Sequence, residues 1–96
     1  MAKAYVVADI EVLDAEAYED YKRLSTAAVD EYQGRWLVRG GEVTRLEGDA
    51  PAHRVVILEF DDVQAARRWY DSPEYTEAKA VRQRAARSSF LLVEGA

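Results

Sequence analysis

Tyr75 and Arg82 stand seven residues apart, a spacing that sets both on one face of a helix, two turns from each other. An arginine presents a planar fork of donors to a carboxylate or phosphate, and a tyrosine adds one directional hydroxyl to an apolar wall. With Arg39 they make a ligand-binding set, and the ligand that suits it is a small anionic organic molecule. The plainer account is that Tyr75 is core and Arg82 pairs with an acid. A second group is acidic. Asp9, Glu11 and Glu59 share one strand parity with Arg35 and Arg39. Were the first and third strands neighbours, Asp9 and Glu59 would lie close, and paired carboxylates can split their pKa values for acid–base work. Glu59, Asp9 and Tyr75 are therefore the candidate catalytic residues. The alternative is an ion-pair network with Arg39 that sets the register of two subunits.

Other chemistries find little support. The chain has no cysteine, which removes disulfides, thiolate catalysis and cysteine-ligated metal. His53 is the only histidine and follows the turn at Pro51, where a solvated loop residue is expected. One histidine leaves carboxylates to complete any metal site, so neither a metal nor a cofactor is expected. No serine has a histidine partner for a hydrolytic triad, and Gly40-Gly41 lacks the spacing and following helix of a phosphate loop. Trp36 and Trp69 fit core positions.

The formal net charge of -5 argues against nucleic-acid partners and against anionic membrane surfaces. No apolar run approaches the roughly 18–20 residues that span a bilayer, and no apolar leader with a cleavage site is apparent. A cytoplasmic location is the expectation. Ninety-six residues, 49% hydrophobic and 32% charged, suit a single globular domain over 1–96.

The elements that must position these residues follow from periodicity. Apolar residues at the even positions 4 to 12 predict a strand with two unlike faces. Asp14 offers an N-cap to an amphipathic helix from Ala15 to about Tyr32, which Gly34 closes as a helix-stop glycine. A short strand at Arg35–Arg39, a bulge or bend at Gly40-Gly41 and further strand at Glu42–Glu47 come next. Arg54–Phe60 is β-branched and almost continuously apolar, as a central strand should be. Asp61 is the expected cap of a helix whose inner face is Val63, Ala66, Trp69 and Tyr70. Ser72-Pro73-Glu74 breaks and restarts that helix, which runs to about Arg87, and Ser88–Glu94 is the last strand.

The order βαββαβ predicts an α+β, ferredoxin-like antiparallel sheet with its helices on one face. The other face carries Tyr5, Val7, Asp9, Glu11, Leu37, Val55, Ile57 and Glu59, with Arg35 and Arg39. An apolar half-face without cover marks an interface, so a homodimer is expected.

Three stretches carry a resemblance: Gly34-Arg35-Trp36-Leu37-Val38-Arg39-Gly40-Gly41, Val55-Val56-Ile57-Leu58-Glu59-Phe60, and Ala65-Ala66-Arg67-Arg68-Trp69-Tyr70-Asp71-Ser72-Pro73-Glu74-Tyr75, with Arg82 beyond them. They resemble the bacterial family called domain of unknown function 1330, over nearly the whole chain. The resemblance implies the dimeric α/β-barrel superfamily, in which two ferredoxin-like subunits pack sheet to sheet. It implies no agreed reaction and no catalytic residues. Relatives in that superfamily include antibiotic-biosynthesis-type monooxygenases, haem-degrading enzymes and small lyases. The functional expectation is a homodimer that binds a small organic anion between sheet and helices. The alternatives are a cofactor-independent monooxygenase or isomerase, and an accessory dimer with no ligand.

Overall fold

The computed structural model describes residues 2–96. Strand β1 is Ala4–Val12, helix α1 Ala15–Glu31, strand β2 Arg35–Arg39 and strand β3 Arg54–Phe60. Helices α2 (Val63–Tyr70) and α3 (Pro73–Ala85) follow, and strand β4 is Ala86–Glu94. The strands form one antiparallel sheet in the order β2-β3-β1-β4. This is the ferredoxin-like βαββαβ topology, with its second crossover helix broken in two.

The even positions of β1 are buried under the helices: Ala4, Val6, Ala8 and Ile10. Val56, Leu58 and Phe60 of β3 share that layer, and Tyr18, Tyr21, Val29, Trp69, Tyr75 and Ala78 close it from above. Trp69 stacks on Phe60 at 5.3 Å and on Tyr75 at 4.3 Å between ring centroids. Burial of one such large side chain contributes about 1.5–3 kcal/mol, so this aromatic block is a main source of stability.

The helix caps are local chemistry. The Asp14 carboxylate accepts from the Ala17 amide at 3.1 Å. Ser72 accepts from the Tyr75 amide at 3.0 Å with Pro73 behind it, so the break and restart fall where they were expected. The cap of α2 is Asp62, not Asp61. Its carboxylate accepts from the Ala65 amide at 2.7 Å, whereas Asp61 turns to Arg35 and Lys3.

Two further expectations need correction. The left-handed residue after α1 is Gln33, at φ 61°, and Gly34 has a different task. A Cβ at Gly34 would lie 2.8 Å from the Phe60 ring and 2.9 Å from Val29, so close approach of chains demands the glycine. Glu42–Glu47 forms no strand, and residues 40–53 are a long connection. Gly40 takes φ 74° while donating to the Val55 carbonyl at 2.8 Å, which turns the chain away from the sheet. Arg45 then donates to the carbonyls of Gly48 and Ala50, at 3.0 and 2.6 Å, and folds the loop on itself.

Candidate functional site

A register shift between Trp36 and Val38 decides where Arg39 goes. Trp36 lies opposite Leu58, Val38 opposite Ile57 and Arg39 opposite Val56, so Leu37 is the extra residue of a bulge. Strand parity flips there. Arg39 therefore sits on the helix side of the sheet, away from Arg35, which corrects its expected place on the open face. Its guanidinium stacks on Trp36 at 3.9 Å and donates to the Thr26 hydroxyl of α1.

Arg39 lines a small cavity between sheet and helices with Tyr18, Tyr21, Ser25, Arg54 and Trp69. The enclosed end has about 20 Å³ of free space, room for one water. It meets an open basin of about 550 Å³ where Lys22, Arg23, Arg39 and Arg54 face one carboxylate, Glu19. The Arg54 guanidinium lies 5.8 Å above the Tyr18 ring, and its buried Nε has no hydrogen-bond partner among the described residues.

Tyr75 and Arg82 stand behind the cavity wall. Arg82 is 6% exposed and Tyr75 wholly buried, and Arg82 Nη1 donates to the Tyr75 hydroxyl at 2.6 Å. The Tyr75 and Tyr21 hydroxyls lie 2.7 Å apart. The Arg82 guanidinium packs 4.1 Å over Phe90, and its Nε too lacks a partner among the described residues. Burial alone would weaken the Arg82 charge, but the oxygens of Tyr75 and Tyr21 more than offset it and raise its pKa. Burial pushes the Tyr75 hydroxyl far above its ordinary value, so it stays protonated. Thus the structure joins Tyr75 to Arg82 and sets Arg39 apart from them, at the cavity mouth. Sequence reasoning missed Tyr21, Arg54 and Tyr18. Only the inward stripe of α1 hinted at Tyr21, and Arg54 looked like the first residue of a strand.

The carboxylates are separated. Asp9 lies opposite Val55 and Glu59 opposite Tyr5, so four residues, about 13 Å of strand, divide them. The expected Asp9–Glu59 pair does not form. Glu59 accepts from Arg35 Nε at 2.7 Å and from the Tyr5 hydroxyl at 3.1 Å. The Arg35 guanidinium beside it holds its carboxyl below the ordinary value. The network on the open face belongs to Arg35, with Asp61 as its second acid at 3.0 Å, and Arg39 has no part in it. Asp9 pairs instead with His53, accepting from its backbone amide at 2.8 Å and meeting Nδ1 at 3.0 Å. That contact holds the Asp9 carboxyl below its ordinary value. His53 is thus tied to the strand rather than free at a loop tip. Among the described residues no group of three or more His, Asp or Glu side chains is arranged to hold a metal ion. No described helix is long and apolar enough to cross a membrane.

The βαββαβ order with its antiparallel sheet defines the fold class as ferredoxin-like. The chain belongs to the family named domain of unknown function DUF1330, whose family model matches residues 3–96. Among solved structures it is similar to RPA0582 of Rhodopseudomonas palustris, a protein of unknown function, with TM-score 0.79 and 24% identity over 99% of this chain and 83% of that one. It is also similar to SnoaB of Streptomyces nogalater, a cofactor-independent oxygenase, with TM-score 0.64 and 16% identity over 97% and 92% of the two chains. A dimeric ferredoxin-like protein of unknown function from Jannaschia sp. matches with TM-score 0.62 and 16% identity, over 96% of each chain. These likenesses show the fold. No curated protein matches the chain.

Proposed function

We propose that this protein is a homodimer that binds a small organic anion at the cavity between sheet and helices. The observation that carries the reading is the group of arginines without acids gathered around that cavity. Arg35 pairs with Glu59 and Asp61, Arg87 with Glu11 and Arg23 with Asp20. Seven arginines have no carboxylate partner among the described residues; Arg45, Arg67, Arg68 and Arg84 are exposed elsewhere, whereas Arg39 and Arg54 line the cavity and Arg82 is buried behind it. In a chain of net charge -5, cations left without acids around one aromatic-walled cavity favour an anion from outside. Arg39 and Arg54 would hold it at the mouth, with Tyr75 and Arg82 supplying positive potential from behind. A charge-assisted bond contributes on the order of 1.5–3 kcal/mol, enough for a weak specific site.

The dimer is supported by the open face of the sheet. Val7, Val55, Ile57, Leu91 and Val93 lie there, and Leu91 is 62% exposed. A dimeric relative of the same fold is consistent with a second copy as the cover.

The Tyr21–Tyr75–Arg82 chain favours a second reading, a cofactor-independent monooxygenase or isomerase, since hydrogen-bonded hydroxyls next to a cavity can steady a developing oxyanion. A thermal-shift screen of organic acids tests the primary reading. Stabilisation by one or more acids, lost in Arg39→Ala, is the expected result. An accessory dimer without a ligand would show no stabilisation by any acid.

A further inference from the structure

Arginine can only donate, and this sets the direction of the whole buried hydrogen-bond chain. Arg82 Nη1 gives its proton to the Tyr75 oxygen at 2.6 Å. The Tyr75 hydroxyl is wholly buried, and its own proton needs an acceptor. The Tyr21 oxygen, 2.7 Å away, is the acceptor that the structure offers. Tyr75 therefore donates to Tyr21, and the Tyr21 proton is left over. Tyr21 lines the cavity, and Tyr75 and Arg82 do not. A donor at the end of a chain that begins at a buried cation is polarised by every link before it.

From this we infer that the Tyr21 hydroxyl is a dedicated donor to a second oxygen of the ligand, with Arg82 acting through Tyr75 as a positioning residue. The inference rests on the anion-binding reading and narrows its ligand class. The narrow end beside Tyr21 has about 20 Å³ of free space, room for one water-sized group such as a single ligand oxygen. The cations Lys22, Arg39 and Arg54 sit where that end meets the open basin. A ligand that satisfies both ends carries a carboxylate for the arginines and a carbonyl or enolate oxygen for Tyr21. Short oxo acids have this chemistry, and simple carboxylates have no oxygen beyond the carboxylate itself.

Titration calorimetry with matched pairs tests the assignment: pyruvate against propionate, acetoacetate against butyrate, levulinate against valerate. In the wild type, one or more oxo acids should bind about ten- to a hundredfold more tightly than the parent acid, the range of a charge-assisted hydrogen bond. Tyr21→Phe should bring that ratio close to one, and Arg82→Met should reduce it, while Arg82→Lys restores part of it. Arg39→Ala should weaken both members of a pair alike. Should Tyr21→Phe not fold, Tyr75→Phe removes the link that polarises Tyr21 while leaving its hydroxyl in place, and it should reduce the ratio as Arg82→Met does. Equal binding of oxo and parent acids by the wild type overturns the Tyr21 assignment and leaves the anion site standing. A ratio that survives Tyr21→Phe overturns it too. Binding of neither member of any pair overturns the anion site itself.

Discussion

Arg82 donates to Tyr75 across 2.6 Å in the interior of the protein, and no carboxylate among the described residues pairs with it. A buried cation held by phenolic oxygens alone, with its Nε unpartnered, is an expensive way to fill space. The core would be content with an apolar side chain of similar length.

Arg82→Met should accordingly leave the melting temperature within a few degrees of the wild type, or raise it. Replacing buried ionic groups by apolar ones of similar volume is often neutral or stabilising by about 1–4 kcal/mol. The same variant should lose part of the extra stabilisation given by oxo acids over their parent acids. A fall in Tm of more than about 8 °C, worth some 1–2 kcal/mol in a domain of this size, would instead make Arg82 a structural residue.

Ile57→Asp should convert the expected dimer to monomer at micromolar concentration, as read by sedimentation velocity. Ile57 faces the uncovered side of the sheet opposite Val7. A charge there would be desolvated without a partner in a sheet-to-sheet interface. A wild-type protein that sediments as a 10.9 kDa monomer refutes the dimer before any variant is made.

Glu59 contributes to stability with a defined pH sign. Its folded pKa lies below the ordinary 4.5 because Arg35 and Tyr5 donate to the ionised form. That stability is present above pH 4.5 and disappears as pH falls from there through the lower folded value. Thermal melts at a series of pH values should show a shallower acid decline for Glu59→Gln than for the wild type. Identical slopes would show that the Arg35–Glu59 contact is too exposed to matter.

Gly34→Ala should destabilise the protein by about 1–3 kcal/mol, measured by urea unfolding. The new methyl would press on Phe60 and Val29, both wholly buried and packed on their far sides. A change below about 0.5 kcal/mol would mean that Phe60 and Val29 yield to the methyl and that close packing does not demand the glycine.

Much of this architecture was legible in the sequence because it depends on neighbours along the chain. Alternation in β1, the cap at Asp14, the Ser72-Pro73 restart and the near-continuous apolar run of β3 are all signals of a few residues' range. They suffice for βαββαβ, and the topology then implies one uncovered sheet face. The pairing of Tyr75 with Arg82 was equally local, since two helical turns bring them together whatever surrounds the helix.

What the sequence left open was decided by contacts distant in the chain. Parity counting put Arg39 beside Arg35, and a single extra residue at Leu37 moved it through the sheet to the cavity. No local pattern announces a bulge, because it is the pairing of β2 with β3 that creates it. Strand neighbourhood alone suggested that Asp9 and Glu59 would meet. The register separated them and gave Asp9 to His53 and Glu59 to Arg35. Tyr21 gained its place at the cavity only because α1 and α3 pack side by side over the sheet, bringing its hydroxyl to that of Tyr75, 54 residues later in the chain. Residue types and spacing determined which groups could do chemistry. Register and helix packing, which act between segments that the sequence does not place together, decided which of them face one another.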